Sequence, residues 1–178
     1  IVEKVKLTPI SNYQYVHPVG FEVAHLVEAT PLTTANATTV YKKYTFQLPA
    51  NAQYSAGSHI DILPRNDDSV VSKVLSLLHL NESDKFEVQS EFESCLPKQV
   101  TIKELFSQYL DLNGLPTQFM INAFHTAASE EGKAKLGALR DVDRLTEYLK
   151  NTSVAQFIEE YAPYGIPSLN VLATAIPH

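Results

Sequence analysis

The apolar pattern of this chain switches at Pro64-Arg65-Asn66. Over residues 21–64 apolar and polar side chains alternate with the period of a strand, and beyond residue 66 they recur mainly at helical spacing. A switch of this kind restricts the chain to an α+β architecture with the two classes segregated. Its 178 residues suffice for one domain with a proper core, built from two subregions.

The stretch that carries the switch runs from Tyr54 to Asn66. Gly57 allows a positive φ, or a close approach by a ligand, that a Cβ would resist. His59-Ile60-Asp61-Ile62 reads as a short strand of mixed polarity. Pro64 lacks a backbone donor and ends the ladder. Asn66 is the expected N-cap of the next helix, with Asp67 and Asp68 suiting its positive end. His59 is the only group in the stretch that could take part in chemistry.

Upstream, Val2, Val5 and Leu7 alternate with Lys4 and Lys6, so residues 1–20 read as a lead-in segment packed on the rest. A strand is expected from Phe21 to about Glu28, and another from Val40 to Leu48, where Tyr44, Phe46 and Leu48 should share a buried face. With the Gly57 stretch these make three antiparallel strands of a barrel or sandwich edge. Downstream, Val70, Val71, Val74, Leu75, Leu77 and Leu78 form one helical face, and Phe86 to Gln89 reads as a short edge strand. From Thr101 the chain reads as helical almost to its end. Thr101 and Glu104 form a capping box, Asn113-Gly114 stops that helix, and Pro116 starts the next. Asp141 to Lys150 should bury Leu145, Tyr148 and Leu149. Ser153 caps a helix burying Val154, Phe157, Ile158 and Tyr161, and Ser168 caps the last one.

Composition excludes several functions. A net charge of -6 argues against a nucleic-acid or anionic-membrane surface. One cysteine, Cys95, rules out an internal disulfide framework, and its acidic neighbours Glu87, Glu91 and Glu93 blunt a thiol. The sequons at Asn36, Asn81 and Asn151 read as chance triplets. There is no phosphate-binding glycine loop, no nucleophile elbow, and no metal-ligand spacing among His17, His25, His59, His79, His125, His178 and Cys95. No run is long enough to span a bilayer and no signal peptide is present. The first residue is Ile rather than Met, so the chain reads as an excised or processed piece. No catalytic or metal-binding residue is assigned.

At Tyr54–Asn66 the chain resembles the Tyr-x-x-Gly-Asp-His-Leu/Val-x-Val/Ile-x-Pro-x-Asn signature of the NADPH-dependent diflavin reductases. These are the microsomal NADPH–cytochrome reductases, the sulfite reductase flavoprotein and related fusions. Tyr54, Gly57, His59, Ile60, Ile62, Pro64 and Asn66 match, and Ser58 stands where the family has Asp. The helix after Asn66, the run from Val100 to Leu112, and the helices at 153–162 and 167–177 are similar in order and spacing.

The resemblance implies an α+β fold. Residues 21–65 would be part of an antiparallel FAD-binding β-barrel, and residues 66–178 a helical connecting domain inserted in it. The implied function is electron relay from NADPH through FAD and FMN to a haem or other acceptor, with cofactors FAD here and FMN and NADPH in the parent protein. The implied partners are the parent's FMN and NADPH-binding domains and the downstream acceptor, in the cytoplasm, with an anchor allowed in the flanks. His59 and Gly57 would line the FAD site, and Lys42 would stand near a family Arg. A second family Arg aligns near Asn151, which offers no charge. The family's Arg-x-Tyr-Ser flavin motif would begin where the chain reaches Ile176-Pro177-His178, so the piece alone is expected to bind FAD weakly and to be inactive. The alternative is a non-catalytic scaffold domain that keeps the fold without flavin.

Overall fold

The computed structural model describes residues 4–15, 22–50, 52–59, 62–90, 96–140 and 142–176. In chain order it contains β1 (Val5–Pro9), β2 (His25–Pro31), β3 (Lys42–Gln47), α1 (Asp68–Leu77), β4 (Lys85–Ser90) and β5 (Gln99–Thr101). Then follow α2 (Ile102–Glu104), α3 (Gln118–Ala127), α4 (Glu130–Gly137), α5 (Val142–Leu149), α6 (Val154–Tyr161) and α7 (Leu169–Ala175). This is an α+β chain. Its described residues fall into two compact units, one made of residues 4–15 and 62–176, the other of residues 22–59.

The larger unit holds the core. Val5 and Leu7 are buried, so the lead-in alternation is a true strand. β1 pairs antiparallel with β4, and β4 with β5, which makes β4 the central strand rather than the edge that its length suggests. The free side of β1 is closed by α7: Thr174 Oγ1 accepts from Lys4 N and Val5 N, and Asn170 Oδ1 accepts from Leu7 N. A β edge that would otherwise expose unpaired donors is thus covered by side chains.

Phe106, Phe124 and Phe157 are fully buried and share one hydrophobic core with Val5, Leu7 and Val100 of the sheet. Phe124 meets Phe157 edge to face with centroids 5.2 Å apart, and Phe157 lies 4.8 Å from Tyr161. Burial of each such ring stabilises the fold by roughly 1.5–3 kcal/mol. Val154, Phe157, Ile158 and Tyr161 are buried on α6, whereas Leu145, Tyr148 and Leu149 on α5 are only half-buried. Gly165 has a φ of +151°, and a Cβ there would run into the Ala127 carbonyl, where the chain crosses the end of α3.

Helix starts follow side-chain capping. Ser153 and Ser168 cap α6 and α7, and Thr101 and Glu104 make the reciprocal box at α2. Two starts move, that of α1 by one residue and that of α3 by two, from Pro116 to Gln118. Asp67, not Asn66, caps α1 by accepting from Ser69 N, and Thr117 caps α3 by accepting from Met120 N. Beyond Glu104 the helix widens into a π-helical turn over Leu105–Tyr109, closed by Leu110 N donating to Leu105 O at 3.1 Å.

The smaller unit is a two-stranded antiparallel ladder, β2 with β3, with a bulge at Leu26/Glu28. β2 starts later than the alternation from Phe21 suggests. Phe21, Ile60 and Asp61 lie outside the described residues, and neither His59 nor Ile62 is in a strand. The expected third strand is therefore not found among the described residues, which close no barrel. The expected buried face of β3 is corrected too: Tyr44 is 52% and Phe46 38% exposed. Two strands alone form a ribbon with no second layer to cover either face.

Candidate functional site

The Gly57 turn is built by its own backbone. Ser58 N donates to Ser55 O at 3.0 Å, and Ser58 Oγ accepts from Ser55 N at 3.2 Å. This four-residue turn puts Gly57 at the third position with φ +86°, the value a type II turn requires there and the reason glycine occupies it. No atom lies within 4 Å of where a Gly57 Cβ would point, so that backbone face is open. Tyr54, just before the turn, is 81% exposed, and His59, just after it, is exposed as well. Together they present an aromatic face, an unobstructed peptide and an imidazole within six residues.

Lys42 lies in the same unit but at the other end of its strand. It opens β3 opposite Pro31, and the chain reaches the turn only after Gln47. Gly57 and His59 are thus two residues apart at the turn, and Lys42 stands on β3. Tyr54, matched to the family signature but given no site role from the sequence, is an exposed neighbour of the turn.

On the other side of the switch, Asn66 takes a role that no local pattern announces. Its Nδ2 donates to Phe106 O and Leu110 O, both at 2.7 Å, and its N donates to Ser107 O at 2.8 Å. Its Oδ1 accepts from Asn113 Nδ2 at 3.2 Å. A π-helical turn displaces carbonyls from their usual partners, and Asn66 supplies the donors. Asn66 is thereby fastened to the π-helical segment and to Asn113, within the larger unit.

That helical segment is also held from its start. Glu104 accepts from Thr101 N at 2.8 Å and from the Tyr13 hydroxyl at 2.6 Å. Burial, and then the Glu104 carboxylate, push the Tyr13 phenol well above its usual range. A shallow groove of about 270 Å³ lies between α1 and α6, lined by Val70, Val74, Leu77 and Ala155 and bridged by Lys73 and Glu159 at 2.7 Å. The Ser153 hydroxyl that also lines it is taken up as the α6 cap, and the titratable groups of its lining are that pair.

Among the described residues no three His, Cys, Asp or Glu side chains converge on a possible metal position. Cys95, His17 and His178 lie outside them. No described helix is long and apolar enough to cross a membrane.

Comparison with known proteins is consistent along the chain. The model of the FAD binding domain family matches residues 10–178. A self-sufficient cytochrome P450 monooxygenase of Exserohilum turcicum is 28% identical over 166 residues, which is 91% of this chain and 16% of that protein. A bifunctional cytochrome P450/NADPH–P450 reductase of Fusarium oxysporum is 28% identical over 76% of this chain and 13% of its own length. A second enzyme of that description, from Bacillus subtilis, is 27% identical over 83% of this chain and 15% of its own length. The chain thus spans about a sixth or less of these relatives.

Proposed function

The chain belongs to the FAD binding domain family, and from that premise we propose that it is the FAD-side and connecting portion of an NADPH-dependent diflavin oxidoreductase. In this reading residues 21–65 supply part of a flavin-binding barrel, and residues 66–178 form the helical connecting domain. The parent protein carries the FMN and NADPH-binding domains, works in the cytoplasm, and passes electrons to a haem.

The observation that carries the reading is the Gly57 turn, set in a chain that matches this family from residue 10 to residue 178. The residues present fit one margin of a flavin nucleotide. The open Gly57 peptide admits a flat or anionic group at backbone distance, Tyr54 offers a stacking face, and His59 offers a donor. Lys42 adds a charge on the same unit, without the planar fork of an arginine. Bound FAD would supply the redox chemistry, taking a hydride from NADPH and releasing electrons singly. The protein's own share is orientation: the turn holds the ligand.

Titration of the chain with FAD, followed by backbone amide NMR, tests this. Shifts should centre on residues 54–59, with weak affinity, and His59→Ala should reduce them. Shifts elsewhere, or none at saturating FAD, would instead favour the scaffold reading, in which Ser58 serves only to close the turn. Tight stoichiometric binding would contradict the partial-site reading.

A further inference from the structure

Asn113-Gly114 is the one Asn-Gly pair in the chain, and the flavin reading leaves it without a role. Asn113 is exposed and Gly114 half-buried. The Asp111 carboxylate folds back over the pair: its Oδ1 accepts from Asn113 N at 3.0 Å and from Gly114 N at 2.8 Å. A Cβ on residue 114 would strike that carboxylate, so glycine is what lets it reach the amide. Asn113 Nδ2 donates to Asn66 Oδ1 at 3.2 Å. The main chain is anchored on both sides of Asn113. Leu112 O accepts from Ala155 N at 3.0 Å, and Gly114 O from Val154 N at 2.9 Å. Both donors belong to the first turn of α6 and have no partner within that helix. A helix stop needs only the glycine. Here a base also sits on the glycine amide, beside an exposed asparagine amide that this nitrogen can attack.

We propose that Asn113 is a self-modification site: the folded chain deamidates there with Asp111 as proton acceptor, and the product loosens the start of α6. The Gly114 nitrogen attacks Asn113 Cγ, and its proton passes to Asp111 Oδ1. A bond forms between the Gly114 nitrogen and Asn113 Cγ, and the Cγ–Nδ2 bond breaks. Nδ2 regains the proton through solvent and leaves as ammonia. The chain is left with a cyclic succinimide. One water then opens either of its two carbonyls, giving aspartate or isoaspartate at position 113. No electron is transferred, and Asp111 ends as it began.

Each part of the step has its counterpart in the geometry. Without a Cβ, Gly114 leaves its nitrogen less hindered than that of the residue after any other asparagine. The amide proton departs as the new bond forms, so a carboxylate 2.8 Å from that nitrogen lowers the barrier. Solvent reaches the exposed side chain for the closing hydrolysis. The consequences follow from the anchors. Either product puts a carboxylate where Asn66 Oδ1 had a donor. Isoaspartate also adds a methylene to the main chain between the Leu112 and Gly114 carbonyls, so the two no longer fit the α6 amides together. The site lies wholly within the larger unit and involves no flavin, so its failure would leave the family reading untouched.

The test holds the whole folded chain in mildly alkaline buffer at physiological temperature. Peptide mapping by mass spectrometry locates the product, and an isoaspartyl methyltransferase with labelled methyl donor counts isoaspartate. Product should accumulate at Asn113 ahead of every other asparagine. Asn113→Gln keeps an amide but closes its ring far less readily, and should remove the signal. Asp111→Asn keeps an acceptor for the Gly114 amide and should slow the reaction at least about tenfold, below what a well-matched general base contributes. Circular dichroism checks both folds, and the parent chain's own product is a test that needs neither variant. In guanidinium chloride, where the Asp111 contact is lost, parent and Asp111→Asn chains should react at equal rates. Modified chain separated by ion exchange should exchange the Val154 and Ala155 amide hydrogens at least about tenfold faster, with Val88 unchanged. Four results would each overturn the proposal: no product at Asn113, an Asp111→Asn rate equal to the parent's in the folded chain, a rate difference that persists in guanidinium chloride, or unchanged exchange at Val154 and Ala155.

Discussion

Asn66 sets the residue scale, because its one side chain meets carbonyls 40 and 44 positions away. Phe106 lies in the π-helical segment and Leu110 closes it, and both residues are buried, so losing the donors leaves carbonyls without partners. Asn66→Asp keeps the shape and turns two attractions into two repulsions. It should cost about 3 kcal/mol, and Asn66→Ala about 2, from two hydrogen bonds and their desolvation. Urea midpoints measure both; equal midpoints for Asp and Ala would show that donor loss rather than repulsion decides. Tyrosines set a second residue-scale expectation. Burial first, and then Glu160, push Tyr161 up to about 12 from 10.0, and Tyr148 rises for the same reasons. The folded chain then holds these protons more tightly than the unfolded one, so their stabilisation is complete below pH 10 and is lost as pH rises from 10 towards 12. Melting temperature should be nearly flat between pH 7 and 9 and fall steeply beyond 10. Tyr148→Phe should flatten that fall.

At the scale of elements, α1 shows what a pattern reveals and what it hides. Its apolar face is legible because burial of Val71, Val74 and Leu75 demands the 3.6 period. Its end is not legible, because His79 carries no stop signal. Yet His79 has a φ of +55°; its N donates to Ser76 O at 3.2 Å, and Leu80 N donates to Leu75 O at 3.0 Å. This is a Schellman end with histidine where glycine is preferred. His79→Gly should therefore stabilise the chain by about 0.5–1 kcal/mol, read as a rise in urea midpoint; a fall would mean that the imidazole itself holds the end. The same logic separates the remaining elements. Thr101, Ser153 and Ser168 are legible as caps because a cap is a local bond between residues three apart. The central place of β4 and the π-helical turn are not legible, because both depend on partners distant in sequence: β1 for the strand, and Asn66 for the turn. In the candidate site, Gly57 is legible because a positive φ selects glycine, whereas the exposure of Tyr54 depends on what surrounds it.

For the molecule as a whole, the two units differ in what holds them. The larger one buries Phe106, Phe124, Phe157 and Leu112 completely and covers its β1 edge with α7 side chains. The smaller one exposes Leu26, Val27, Tyr41, Tyr44 and Leu48 by 40–64% and has only the β2–β3 ladder. An isolated ribbon is marginal in water because hydrogen bonds exchanged with solvent leave little net gain without burial. Local opening should therefore be easy in the ladder and close to global unfolding in the helical unit. Hydrogen exchange on the chain alone should show weak protection at the ladder amides, such as Ala29 and Thr45, and strong protection at Val88, Phe124 and Ile158. The difference should span at least about two powers of ten, since a gap of 1.4 kcal/mol in opening energy is already tenfold and the burial of a single large side chain exceeds it. A strand partner supplied in trans, such as the remainder of a parent protein, would raise protection in β2 and β3 and leave the helical unit unchanged. Equal protection across both units would mean that the ladder is held by more than its own bonds, and would remove the basis for reading it as part of a larger sheet.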